Sequence, residues 1–291
     1  VSGGYRINGT KCFITNGSLA DFVVATIAAD PDRPRESMAT FLIPADAEGV
    51  SVGRVERKCG QKASQTAELH FKDVFVPDAN VWEPPGRGLR HTREILSITR
   101  GFIGIGGLGI ARGALERGIR FAAEKRIGSR RLIDEKWVQV GFADMLKDIN
   151  SVRCVGINFA LALDACHAWQ LFELLPLKAG LKAAPERLLL SPVLQSLACT
   201  EMVRNAGSRI KRRLVPDTVV EDFVYYGSMV KVAGTDLAAH VAGRVADMVG
   251  LDGMDRQYGI EKSFRDAKVT QIYEGTNQAN RIDIFNHVVQ G

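Results

Sequence analysis

The feature that most constrains this chain is a change of hydrophobic period part-way along it. Before residue 86, apolar residues fall in short β-rich runs at residues 5–7, 10–13, 22–27, 41–43 and 69–76, separated by turn-rich segments such as Asp-Pro-Asp-Arg-Pro at 30–34. Asn8-Gly9 between the first two runs has the composition of a tight hairpin turn. Pro84-Pro85-Gly86 then breaks the pattern. After it, Val138, Phe142, Met145, Ile149, Val152, Phe159 and Leu163 recur at three, four or seven residues, and so do Tyr226, Met229, Val230, Ala233, Leu237, Val241, Val245 and Met248. Such stripes mark long helices facing a core. The expected fold is α+β: a partial antiparallel β-barrel or sheet over 1–86, followed by an all-α helical bundle over 87–291.

At 291 residues the chain has room for roughly two domains on a prior of about 100 to 200 residues each. A composition 46% hydrophobic and 24% charged excludes collagen-like, low-complexity and disordered classes. The net charge of +5 mildly favours anionic partners. Nucleic acid is not expected, because the basic cluster Arg209, Lys211, Arg212 and Arg213 carries no interleaved aromatics. Cys12, Cys59, Cys154, Cys166 and Cys199 are odd in number and widely spaced, and the five histidines lie far apart. Neither a disulfide framework nor a metal site follows. Buried or idle thiols in a reducing compartment, cytoplasmic or mitochondrial matrix and not secreted, is the expectation. No apolar stretch reaches the roughly 20 residues of a membrane span, so none is expected.

Gly104-Ile-Gly-Gly-Leu-Gly109 matches the spacing of a dinucleotide fingerprint but has no preceding strand and sits in a helical region. Small residues that let two helices approach closely are the better account. Near the C-terminus, Glu274 precedes Gly275, which tolerates unusual backbone conformations, and Thr276, which could cap the following helix. By itself Glu274 reads as a surface carboxylate near a helix start.

Three separated segments go further. Gly-Thr-Lys-Cys-Phe-Ile-Thr-Asn-Gly at 9–17, Lys-Cys-Gly-Gln-Lys-Ala-Ser-Gln-Thr at 58–66 with Phe-Lys-Asp-Val-Phe-Val-Pro at 71–77, and the stretch 260–278 ending Gln-Ile-Tyr-Glu-Gly-Thr-Asn-Gln occur in this order. In these the chain resembles the acyl-CoA dehydrogenase family over essentially its whole length. The resemblance implies an FAD-dependent oxidoreductase of fatty acid metabolism that converts an acyl-CoA to a trans-2-enoyl-CoA and passes electrons to an electron-transfer flavoprotein. It also implies a homodimer or homotetramer.

Residue by residue, the resemblance makes Glu274 the base that removes the α-proton. Thr99 stands where some relatives carry that base instead. Phe13 and Thr15 match residues against the flavin ring. Thr276 and Gln278 match contacts to the FAD phosphates and adenosine half. Arg100, Tyr273 and Gly275 match the surroundings of the acyl group. Lys125 stands where an arginine is expected, keeping the charge but losing the planar fork. Asp247 and Leu251 alter the loop containing Gly250 that would lie near a neighbouring subunit's FAD. A non-catalytic, flavin-poor homologue serving as a structural or binding subunit is therefore the alternative reading, and an acyl-CoA oxidase a further one. Nothing here matches the helical domain and T-E-P…G-S-D segment that usually open the family, so the chain is expected to be a fragment or a short subunit. Residues 171–220 look longer than the usual helix connection.

Overall fold

A computed structural model describes residues 1–165 and 216–290. The strand-rich part comprises β1 (Gly4–Thr15), β2 (Phe22–Ala28), β3 (Met38–Pro44), β4 (Val50–Val55), β5 (Thr66–Pro77) and β6 (Val81–Glu83). They form two three-stranded antiparallel sheets, ordered β1-β5-β4 and β2-β3-β6, and the sheets do not close into a barrel. Ile7, Leu69, Phe71, Val74 and Val76 of one sheet and Val23, Phe41 and Ile43 of the other share one buried core.

The expected hairpin at Asn8-Gly9 is not there. β1 runs straight through it, and both flanking runs pair with the same strand, β5. Asn8 serves that pairing instead: its Oδ1 accepts the backbone N–H of Asp73 at 2.8 Å, beside an extra β5 residue. Pairing along a 12-residue partner, with Ile7 buried in the joint core, outweighs the local turn preference. A second irregularity lies on β1 itself, between Lys11 and Ile14, where Phe13 adopts a left-handed φ of 59°. A β-bulge re-aims its side chain. Phe13 is 70% exposed, not the core residue a hairpin would make of it.

Helices α1 (Gly88–Glu124), α2 (Lys136–Ala165), α3 (Asp217–Gly253), α4 (Ile260–Thr270) and α5 (Asn277–Gln290) follow, with a small β7–β8 ribbon (Arg126–Ile127 and Arg130–Arg131) after α1. The α2 stripe buries Val138, Phe142, Met145, Ile149 and Phe159 as its period requires. On α3 the stripe is buried from Val230 through Leu237, Val241 and Val245, whereas Tyr226 points outward and Phe223 and Val224 take its place inside. Residues 171–215 of the long connection, the basic cluster Arg209 to Arg213, Cys166 and Cys199 lie outside the described residues. Cys12, Cys59 and Cys154 are free and exposed rather than buried. Length and composition would let α1 cross a membrane, but here it packs against α2, α3 and α4 and buries Arg100.

The glycines of α1 mark its contact with α3. A Cβ on Gly104 would stand 2.2 Å from the Val230 carbonyl oxygen, one on Gly234 2.0 Å from that of Gly104, and one on Gly227 2.1 Å from that of Ser97. These pairs ascend together along both helices, so α1 and α3 run parallel with backbones in contact. Gly104 and Gly107 serve helix packing, not a phosphate, while Gly106 meets nothing within 4 Å. Gly234→Ala is expected to destabilise the fold by about 1–3 kcal/mol through overpacking. Gly106→Ala is expected to be neutral or stabilising by up to about 1 kcal/mol, as helix propensity favours Ala. Chemical denaturation of the two variants checks the contrast; equal effects would contradict the contact.

Candidate active site

The turn between α4 and α5 carries Glu274 and Gly275, both left-handed, with φ of 56° and 82°. For a non-glycine residue this backbone costs about 1–3 kcal/mol and persists only where surroundings over-determine it. They do so here. Arg100 Nε of α1 donates to the Glu274 carbonyl oxygen at 3.2 Å, and its Nη1 donates to Asp283 Oδ2 at 2.8 Å and to Ser228 Oγ at 3.1 Å. A Cβ on Gly275 would crowd Asn280 Nδ2 at 3.2 Å and Arg100 Nη2 at 3.3 Å. The Gly275 carbonyl accepts from Lys231 Nζ at 2.7 Å and from Asn280 Nδ2 at 2.9 Å. Thr276 caps α5, its Oγ1 accepting the Ala279 N–H at 3.3 Å.

Thr99, one residue before Arg100, donates its hydroxyl to Glu274 Oε2 at 2.8 Å. Glu274 is therefore half-buried and hydrogen-bonded rather than a free surface carboxylate. Lys231 is fully buried. Burial lowers its pKa from 10.5 to about 8, with the Arg100 cation adding to the effect and Asp236 and Glu274 opposing it. Asn277 Oδ1 takes a second Lys231 donor at 2.6 Å, and Asn277 Nδ2 donates to Asp236 Oδ1 at 2.6 Å. Burial would raise the Asp236 pKa, but donation from Gln271, Arg281 and Asn277 leaves it lowered.

The strand-rich part reaches this turn through Gln61, another left-handed residue. Its Nε2 donates to Tyr273 Oη at 3.2 Å and its N–H to Asp266 Oδ1 of α4 at 2.6 Å. Gly60 beside it lies so close to α4 that a Cβ would stand 2.3 Å from the Arg265 carbonyl oxygen. The structure thus brings Glu274, Gly275, Tyr273, Arg100 and Thr99 together, along with Lys231, Asn277 and Gln61, which the sequence did not single out. A buried lysine within an apolar helical stripe was the available signal for Lys231. Thr15, Thr276, Gly250 and Gln278 are exposed. Lys125 ends α1, about 37 Å along the helix from Arg100 at 1.5 Å per residue, and pairs with Asp252. Gly250 is at that far end too, breaking α3 with φ 61° and ψ −166°, next to Leu251, which is 93% exposed. A cleft of about 870 Å³ is lined by Arg100, Asp283, Leu96, Arg93 and Val224, among others, but not by Glu274.

A carboxylate on a clamped, strained turn, held at one oxygen by a hydroxyl, is an arrangement that can take a proton from a bound molecule. Comparison with known proteins identifies the family of the chain. The family profile "Acyl-CoA dehydrogenase, middle domain" matches residues 1–74, and "Acyl-CoA dehydrogenase, C-terminal domain" matches 86–171 and 182–289. The chain belongs to the acyl-CoA dehydrogenase family. Cyclohex-1-ene-1-carbonyl-CoA dehydrogenase of Geobacter metallireducens is 29% identical over 278 residues, 96% of this chain and 59% of that one. Butyryl-CoA dehydrogenase from Megasphaera elsdenii shares the fold with a TM-score of 0.74 at 23% identity, over 98% of this chain and 60% of that one. An acyl-CoA dehydrogenase complexed with FAD from Bacillus anthracis does so at 0.77 and 23%, over 99% and 42%. The chain thus spans about three-fifths of the length of the curated relative.

Asp266 joins the two parts of this acyl-CoA dehydrogenase homologue. Its burial works to raise the pKa, but the Gln61 N–H and the Lys262 ammonium prevail and lower it below 3.8. A lowered carboxylate pKa contributes stability above the ordinary value, lost as pH falls through the folded one. Amide exchange at residues 59–61 should therefore quicken in Asp266→Asn at neutral pH, and in the wild type only below about pH 3.8. Unchanged exchange in the variant would contradict the role of Asp266 in docking.

Proposed function

We propose that the full-length protein is an FAD-dependent acyl-CoA dehydrogenase in which Glu274 removes the α-proton of an acyl-CoA thioester, giving a trans-2-enoyl-CoA. The observation that carries this reading is the Glu274 carboxylate on its clamped turn, with Oε2 engaged by Thr99 and no partner on Oε1 among the described residues. Two features fit a bound flavin. Phe13 presents an exposed aromatic ring from a strained bulge, with the hydroxyl-bearing Thr15 exposed two residues on. Thr276 and Gln278 offer polar groups at the exposed start of α5. FAD, when bound, supplies the hydride acceptor for the β-carbon.

The chain's own residues do the rest. Arg100 anchors the turn through Nε and Nη1, which donate to Glu274 O, Ser228 and Asp283, and not through the Glu274 carboxylate. Tyr273, fixed through Gln61, flanks the acyl group. Lys125 and Gly250, a helix length away, belong in this reading to the flavin of a neighbouring protomer in a homodimer or homotetramer. Electrons leave to an electron-transfer flavoprotein. The Lys125–Asp252 pair favours a second reading, a flavin-poor structural subunit, because it occupies the ammonium that would meet a pyrophosphate.

Glu274→Gln in the full-length protein keeps the side-chain shape and removes the base. Turnover with acyl-CoA should fall by about 100- to 10,000-fold. Flavin content and thermal stability should remain close to wild type. A variant retaining a tenth of wild-type turnover would contradict the assignment, and a wild-type protein purified without flavin would favour the second reading.

A further inference from the structure

Lys231 is the only buried lysine among the described residues, and none of its surface is exposed. Lysines are almost never fully buried unless paired. Its hydrogen-bond partners are not carboxylates but two oxygens of the segment that carries Glu274, the Gly275 carbonyl at 2.7 Å and Asn277 Oδ1 at 2.6 Å. Arg100, from the other helix, holds the preceding carbonyl, that of Glu274. Two cations rooted in helices whose backbones touch thus grip consecutive carbonyls of a left-handed pair. The two carbonyls belong to rigid peptide planes that meet at the Gly275 Cα, so gripping both fixes the backbone immediately C-terminal to Glu274 and takes away the rotation that glycine would otherwise allow there.

This inference rests on the reading of Glu274 as the base. We propose that Lys231 is a positioning residue for Glu274, acting with Arg100 through the backbone of the turn to keep the carboxylate beside Thr99. Lys231 itself touches neither substrate nor flavin. Asn277 extends the grip, since it orients the ammonium and is held in turn by Thr235 and Asp236. Without the ammonium, Asn280 still binds the Gly275 carbonyl, so the turn stays docked while the carboxylate samples other positions.

The test compares wild type, Lys231→Met and Lys231→Arg as full-length flavoproteins. The charged groups facing Lys231, namely Arg100 on α1, Asp236 on α3, Glu274 in the turn and Arg281 on α5, remain in all three. In the methionine variant, amide exchange across residues 271–281 should rise at least about tenfold while α1 and α3 stay protected. Its kcat should fall by about 100-fold, as a misplaced reacting group costs. KM should stay within about threefold, and the isotope effect with α-deuterated acyl-CoA should rise. Arginine, which keeps the cation, should recover at least about a tenfold share of the loss in kcat.

Wild-type exchange and wild-type kcat in Lys231→Met would overturn the proposal. If the wild type oxidises no acyl-CoA, the functional reading fails by itself, and the exchange measurement still decides whether Lys231 holds the turn. If Lys231→Met does not fold, Asn277→Ala decides in its place. Faster exchange at 271–281 with lowered kcat and unchanged KM supports the proposal there, and wild-type behaviour overturns it.

Discussion

The direct backbone contact between α1 and α3 is the constraint on which the rest depends. With Gly104, Gly107, Gly227 and Gly234 at the crossing, no side chain separates the two helices. Because the helices are parallel, their N-terminal halves lie side by side, and each contributes polar groups to the same buried strip: Ser97 and Arg100 from α1, Ser228, Lys231 and Thr235 from α3. Such a strip is stable only if every member finds a partner. The α4–α5 turn and α5 supply those of Arg100 and Lys231, through the carbonyls of Glu274 and Gly275 and the side chains of Asn277 and Asp283, while Ser228 accepts from Arg100 and Ser97 donates to Glu94 O within α1.

This arrangement sets two unfavourable features against each other. Arg100 and Lys231 are cations removed from water, which is costly unless each is well paired. The turn they bind is a strained one that would relax if left alone. Each supplies what the other lacks: the cations receive acceptors, and the turn receives the donors that hold it. Local rules broken together at one place, with compensation from elsewhere in the fold, are characteristic of functional sites.

The division into a strand-rich and a helical part was legible because apolar period is a local property, and α2 shows it plainly at Val138, Phe142, Met145 and Ile149. The α1 glycines were also legible as packing residues, since no strand preceded them. Asn8-Gly9 misled because a turn signal is local while its competitor, pairing with β5, lies more than 60 residues away. Glu274 was singled out by family resemblance and not by its local sequence, because the groups that hold it, Thr99 and Arg100, come from α1. Lys231 escaped notice for the same reason: within its stripe it looked like one charge among apolar residues, and only the fold shows what it faces. Phe13 needed the bulge, and the bulge needed the register of β1 on β5.

Chemically, a clamped carboxylate and an exposed aromatic on a strained strand make sense together if a flavin and an acyl thioester meet between them. The most direct measurement is the flavin absorbance of the purified full-length protein during anaerobic addition of a panel of acyl-CoAs. The expected result is a yellow protein whose flavin band bleaches with at least one acyl-CoA, in proportion to the enoyl product formed. A colourless protein, or a flavin that no acyl-CoA reduces, would contradict it.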